Sequence, residues 1–173
     1  MAASFGALGA LIILIAATAG CGGGSTATTA TTLPHGANAT VVRVVDGDTL
    51  IAKIGSSIQR IRLIGMDTPE TVDPRKPVQC YGPQASKHTK SLLPPGTPVR
   101  LVRDAEAHDV YGRTLAYVYR AADNLFVDRE LLVDGYARTL TIPPNDAHES
   151  DLAAAQHTAE VAGKGLWSAC PHQ

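Results

Sequence analysis

Aromatic side chains make up only 5% of the 173 residues, cysteine occurs three times, and the formal net charge is −1. Scarce aromatics argue against a module that works by stacking successive bases along a sheet. A net charge near zero supplies no bulk cationic field, so affinity for a polyanion would have to come from a local groove of Arg and Lys. Neither Cys80 nor Cys170 has a second Cys or His at ligand spacing apart from His172, and His148 and His157 are nine positions apart, which argues against a zinc site. The neighbours His108 and Asp109 do not by adjacency make a catalytic dyad. The sequence also lacks a Gly-rich phosphate loop of the nucleotide-triphosphatase type and a Gly-x-Ser-x-Gly elbow, which excludes those two routes to phosphoryl and acyl transfer.

Residues 1–20 carry no charged side chain, and residues 8–17 form an apolar stretch followed by Thr18-Ala-Gly-Cys21. The stretch is short for a membrane span of ~20 residues. Its small residues before a cysteine resemble a lipoprotein signal peptide, although the usual positively charged start is missing. On that reading Cys21 is lipidated and anchors the mature chain to a membrane. A plain secretory signal and a retained anchor are the alternatives, and all three place the domain outside the cytoplasm. Residues 21–38 are rich in Gly, Thr and Ala and read as a flexible linker. One domain is expected over residues 39–170, with a tail at 171–173.

From residue 39 the pattern becomes strand-like. Residues 40–45, 49–54 and 58–64 are β-branched runs separated by an Asp-Gly-Asp turn and a Gly-Ser-Ser turn, which predicts a meander. Residues 68–77 hold three prolines and must be loop. Residues 84–93 predict a helix, 98–103 and 113–120 two further strands, 125–133 a short helix and 146–162 an amphipathic one. Five short strands with interspersed helices point to a small closed barrel, mainly β within an α+β class.

Three carboxylates, Asp48, Asp67 and Glu70, fall beside Arg62 in short segments flanked by these strands, and Arg113 arrives in a similar context. Carboxylates brought together without a cation would repel, while guanidinium forks attract and grip phosphate, so the pattern reads as a metal site facing a phosphate site. That is the chemistry of phosphodiester cleavage. Asp-Gly and Asp-Thr-Pro also form ordinary turns. Asp46, immediately before Gly47, is better placed to hydrogen-bond its own turn than to bind metal directly.

Seven segments occur together: Asp46-Gly-Asp-Thr49, Arg62, Asp67-Thr-Pro-Glu-Thr71, Tyr81-Gly-Pro-Gln-Ala-Ser86, Tyr111-Gly-Arg113, Pro144-Asn-Asp-Ala-His-Glu149 and Trp167-Ser168. In kind and order they resemble the staphylococcal nuclease (thermonuclease) family. The resemblance implies a five-stranded oligonucleotide-binding barrel with three helices and a calcium-dependent endonuclease acting on DNA, with RNA as a second substrate, leaving 3′-phosphate ends. It implies Asp48, Asp67 and the Thr68 carbonyl as calcium ligands, and Glu70 as the group that positions and deprotonates the attacking water. Arg62 and Arg113 are implied as the phosphate clamp, with Tyr111 as a substrate contact; a monomer is expected. A fold of this kind also hosts unrelated functions, so a non-catalytic nucleic-acid-binding or surface interaction module is the alternative. Two departures bear on the base pocket: Leu140-Thr-Ile142 stands where the family's namesake has tyrosines, and Val110 stands where it has a lysine.

Cys80 precedes the Tyr81-Gly-Pro turn and Cys170 follows Trp167. A bridge would tie the C-terminal tail to the start of the first helix; two free thiols or a bond to another molecule are the alternatives. In an oxidising compartment an intramolecular disulfide is expected.

Overall fold

The computed structural model describes residues 36–75 and 77–170. The signal segment at 1–20, Cys21, all but the last three residues of the linker and the tail at 171–173 lie outside the described residues.

In chain order the elements are β1 (Ala39–Asp46), β2 (Thr49–Ile54), β3 (Ser57–Leu63), β4 (Gly65–Asp67), α1 (Gly82–Leu92), β5 (Pro98–Val102) and β6 (Thr114–Arg120). β7 (Leu125–Phe126), α2 (Val127–Val133), β8 (Arg138–Leu140), α3 (Glu149–Val161) and a single helical turn, α4 (Leu166–Ala169), complete the domain. Strands pair in the order β3-β2-β1-β5-β6, and β3 then meets β6 in parallel through Ile61↔Thr114, Arg62↔Leu115 and Leu63↔Ala116. This last pairing closes the five-stranded barrel, which removes both free edges. Two register shifts in β1, between Val41 and Arg43 and between Val44 and Asp46, bend the strand as closure requires.

Period-two alternation sorts the side chains. β2 sends Leu50 and Ala52 inward and β3 sends Ile61 and Leu63 inward, all fully buried, while Lys53 and Arg60 face out and are exposed. Val41, Val99 and Tyr117 complete the barrel interior, and Leu131, Leu132 and Leu152 from α2 and α3 join the same core. The Tyr117 hydroxyl donates to Asp104 Oδ2 at 3.0 Å, so the ring's polar end is satisfied.

The structure departs from the sequence expectations at several ends. Asn38, assigned above to the linker, belongs to the barrel: its amide exchanges two hydrogen bonds with Leu101, at 2.9 and 2.8 Å. The helix expected from residue 125 starts two residues later, because Asn124 takes the left-handed conformation (φ 57°) and turns Leu125–Phe126 back to pair with β6. The strand expected through residue 64 ends at Leu63. Gly65 adopts φ 77° and starts β4, which pairs with β8 rather than with the barrel. α3 begins at Glu149, three residues later than expected; just before it, the Ala147 N–H donates to Asp104 Oδ2 at 3.0 Å. Gly135 and Gly165 let two backbone turns touch where the end of α2 meets the start of α4, with the Leu166 N–H donating to the Gly135 carbonyl at 2.8 Å.

Candidate active site

The turn between β1 and β2 carries Asp46 and Asp48; the end of β4 carries Asp67; Arg62 stands one residue before the end of β3; and the loop after β4 carries Thr68 and Glu70. These residues line one open cavity of about 690 Å³, and Tyr111 and Arg113 line its opposite side from the turn before β6. Every residue nominated for catalysis, metal binding or substrate contact is therefore brought to one cleft.

Asp48 is buried at the cavity floor. Its Oδ2 pairs with Arg62 Nη1 and accepts from the Thr68 N–H at 3.2 Å and the Thr68 hydroxyl at 3.1 Å, and its Oδ1 accepts from the Thr49 hydroxyl at 2.9 Å. Burial alone would raise its pKa, but the Arg62 charge and these donors hold the carboxyl below its ordinary value. The other Arg62 nitrogen donates to Asp67 Oδ1 at 2.6 Å. Arg62 thus bridges the two carboxylates as their common counter-charge. Asp67 titrates above its ordinary value, because burial and the charges of Asp48 and Glu70 outweigh the arginine. Thr68 is in place because Gly47 has no side chain: a Cβ at position 47 would come within 2.5 Å of the Thr68 hydroxyl oxygen.

Asp46 braces the loop from beneath. Its Oδ1 accepts from the Gly47 N–H at 2.8 Å and the Thr71 hydroxyl at 2.6 Å, and its Oδ2 from the Thr71 N–H at 3.2 Å. The turn contact expected from the sequence is present, and the tie to Thr71 adds to it. Burial raises the Asp46 carboxyl above its usual range. Glu70 lies beside Asp46, and its Oε1 accepts the N–H groups of Thr71, Val72 and Asp73 at 2.9, 2.7 and 3.1 Å. Partial burial pulls Glu70 upward, but these donors keep it below its ordinary value, so it stays ionised.

Arg113 is held by a residue that the sequence reading passed over. Asp109 Oδ2 accepts from Arg113 Nε at 2.6 Å, and Asp109 Oδ1 accepts the N–H groups of Tyr111 and Arg113 at 3.0 and 2.9 Å. One carboxylate therefore builds the turn and aims the guanidinium. Burial would raise Asp109, but the Arg113 N–H and side chain hold it low. The available signal was the i, i+4 spacing of Asp109 and Arg113 across Gly112. Tyr111 is 82% exposed and its ring lies 5.5 Å from the Arg113 guanidinium carbon.

Beside the cleft lies a smaller apolar cavity of about 350 Å³ whose lining includes Leu63, Met66, Val110, Leu115, Leu140 and Ile142. The family departures noted above, Val110, Leu140 and Ile142, all line it, beside Tyr111, Arg113 and Asn145.

The donor set on the floor is all oxygen, the chemistry of a hard cation such as calcium. Like-charge pressure from Asp48 and Glu70 on Asp67 is what a bound cation would relieve. Among the described residues no three His, Cys, Asp or Glu side chains converge as a ligand cluster, and Arg62 supplies the positive charge between Asp48 and Asp67.

Across the back of the loop, Cys80 and Cys170 are joined in a disulfide with a Cα–Cα distance of 6.1 Å and a sequence separation of 90. Cys80 directly follows Gln79, whose side chain and N–H both bond the Glu70 backbone.

The family profile described as "Staphylococcal nuclease homologue" matches residues 60–169. The chain is 45% identical over 132 residues to a thermonuclease of Staphylococcus intermedius, covering 76% of this chain and 77% of that protein. It is 42% identical over 128 residues to a thermonuclease of Staphylococcus hyicus, covering 74% of each. It is 34% identical over 132 residues to endonuclease YncB of Bacillus subtilis (strain 168), covering 76% of this chain and 62% of that protein.

Proposed function

This chain belongs to the staphylococcal nuclease family and is a phosphodiester-hydrolysing nuclease; from that premise we propose that it is a calcium-dependent, extracytoplasmic endonuclease that cuts DNA, and RNA as a second substrate, leaving 3′-phosphate ends. The observation that carries the reading is the convergence of Arg62, Glu70 and Arg113 with Asp48 and Asp67 on one cleft.

Asp48, Asp67 and the Thr68 carbonyl would hold calcium, which when bound would offset the carboxylate charges and draw in the phosphate and a water. Glu70, fixed by three backbone donors, accepts the proton of that water as it attacks phosphorus. Arg62 and Arg113 donate to the non-bridging oxygens, where charge grows as phosphorus gains its fifth oxygen. Their present partners, Asp48, Asp67 and Asp109, keep both guanidinium groups oriented before substrate arrives. The 5′-oxygen departs and the phosphate stays on the 3′ side. Tyr111 contacts the substrate at the rim of the cleft. At the wall formed by Val110, Leu140 and Ile142 the pocket takes the base by aliphatic contact, which weakens binding without removing a reacting group.

Export is supported by the Cys80–Cys170 disulfide, since such bonds persist in oxidising compartments. We place the protein on the membrane surface through lipidated Cys21, acting as a monomer. A diacylglycerol mass on the mature N-terminus, lost in Cys21→Ala, tests the anchor. A quenched fluorescent DNA substrate, with calcium or with chelator, tests the activity. The expected result is calcium-dependent cleavage whose products need phosphatase before a polymerase extends them. Binding without cleavage would replace the enzyme with a binding module.

A further inference from the structure

We propose that the outward face of β1, β2 and β3 is a track for the nucleic-acid backbone beyond the bond being cut, with Arg60, Arg43 and Lys53 as its phosphate contacts. The proposal rests on the nuclease reading above and concerns how far the substrate runs over the protein.

Alternation in β3 turns Ile61 and Leu63 into the barrel, which puts Arg60 on the same outward face as Arg62. Arg60 also lines the catalytic cavity, so the face is continuous with the cleft. Cross-strand register carries the pattern onward. Arg60 lies opposite Ile51 and Ile51 opposite Arg43; in the next outward row Lys53 lies between Thr40 and Ile58. By strand rise these rows stand about 7 and 14 Å from Arg62.

The charges on this face are available. Arg62, Arg75, Arg113, Arg120 and Arg129 are each paired with an aspartate. Arg43, Lys53 and Arg60 are exposed, and among the described residues none has an ion-pair or hydrogen-bond partner for its side chain. β1, β2 and β3 contain no acid except Asp46 at the catalytic edge. Unpaired cations on an acid-free face fit a polyanion, and a strand whose scissile phosphate sits at Arg62 continues in one direction over Arg60. Ile58, 60% exposed, sits among them as an apolar contact for a sugar or base. This face supplies the local basic groove that a chain of net charge −1 needs to hold a polyanion.

The test is fluorescence anisotropy with labelled oligothymidylates of 2 to 12 nucleotides at several salt concentrations, with chelator present to suppress cleavage. Affinity of the unmodified chain should rise with length. In Arg43→Gln/Lys53→Gln/Arg60→Gln the 12-mer should bind at least ~10-fold more weakly, and the salt slope should fall by about 2, from three contacts at roughly 0.7 each for single strands. Arg43→Lys/Arg60→Lys, which keeps the charges and the fold, should retain the length gain. An unchanged slope and length gain in the triple variant would overturn the track, as would loss of the gain in the charge-retaining variant. Failure of the unmodified chain to cleave DNA would instead strike the nuclease reading and leave this binding comparison readable.

Discussion

Gln79 and Glu70 clasp each other: the Glu70 N–H donates to the Gln79 side-chain oxygen at 2.8 Å, and the Gln79 N–H donates to the Glu70 carbonyl at 2.9 Å. The clasp closes a loop whose prolines prevent it from forming regular structure, and it fixes the Glu70 backbone from which the carboxylate projects. Glu70→Gln should lower kcat by at least ~100-fold with the fold intact, because the proton acceptor is lost. Gln79→Leu keeps the carboxylate but frees its mounting, and should lower kcat by about 10-fold, since small misplacements of a reacting group are costly. Near-normal turnover by a folded Glu70→Gln protein would remove Glu70 from the chemistry.

Arg113 and Asp109 form the second prediction. A lysine at position 113 supplies charge without the two-pronged grip, so Arg113→Lys should lose at least ~100-fold in kcat/KM. Asp109→Asn keeps one acceptor for the turn but loses the charge that aims Arg113, and a smaller loss, about 10-fold, is expected. Steady-state kinetics on a short oligonucleotide would decide; full activity in Arg113→Lys would sink the clamp.

Much of this site could be read in the sequence because its signals are local. Asp46-Gly-Asp-Thr49 announces a turn between alternating strands, Asp67-Thr-Pro a strand exit, and both keep their carboxylates within a few residues of the elements that carry them. What escaped was non-local or disguised. β4 hid within an apolar run from Leu63 to Met66, and its partner β8 lies 75 residues away at Leu140 for Gly65. Gln79 meets Glu70 only when the chain closes across nine residues. Asp128 is an acid in the first turn of a helix, yet it is wholly buried.

The Cys80–Cys170 bridge closes a loop of 90 residues and joins the loop behind Glu70 to the last helical turn. Chain entropy assigns such a crosslink roughly 4–5 kcal/mol, strain aside. Reduction should lower Tm by roughly 10 °C or more, and non-reducing peptide maps should recover the two cysteines joined. Two alkylatable thiols in protein taken from the cell envelope would end both the bridge and the argument for export built on it.

Asp128 links stability to pH. Its Oδ2 accepts the Val118 N–H at 2.8 Å, its Oδ1 is buried with no hydrogen-bond partner among the described residues, and burial pushes its pKa up to about 8. In the unfolded chain an aspartate titrates near ~3.9. Between those values the folded protein holds a proton that the unfolded chain has released, so this group's contribution is fully present below about pH 4 and is lost as pH rises through about 8. Asp128→Asn removes that dependence. Its Tm relative to the unmodified protein should therefore be higher at pH 8.5 than at pH 5 by several degrees, and equal shifts at the two pH values would show that Asp128 is ionised in the folded state.

The last prediction concerns the cation. Asp67 is raised by burial and by the charges of Asp48 and Glu70, whereas Asp48 is held low by Arg62. Calcium and a proton therefore compete chiefly at Asp67, and binding of the cation should release a proton there. The calcium concentration giving half-maximal rate should rise as pH falls from 8 toward 5. Asp67→Asn should need more calcium at every pH and should lose most of that pH dependence, because the competing proton site is gone. Magnesium demands a tight octahedral shell and sheds water reluctantly, so it should support little turnover in this site. Initial rates after chelator treatment, titrated with each metal at several pH values, test all three statements. Undiminished cleavage in chelator would mean that Asp48 and Asp67 serve only as partners of Arg62, and equal rates with magnesium would end the calcium preference.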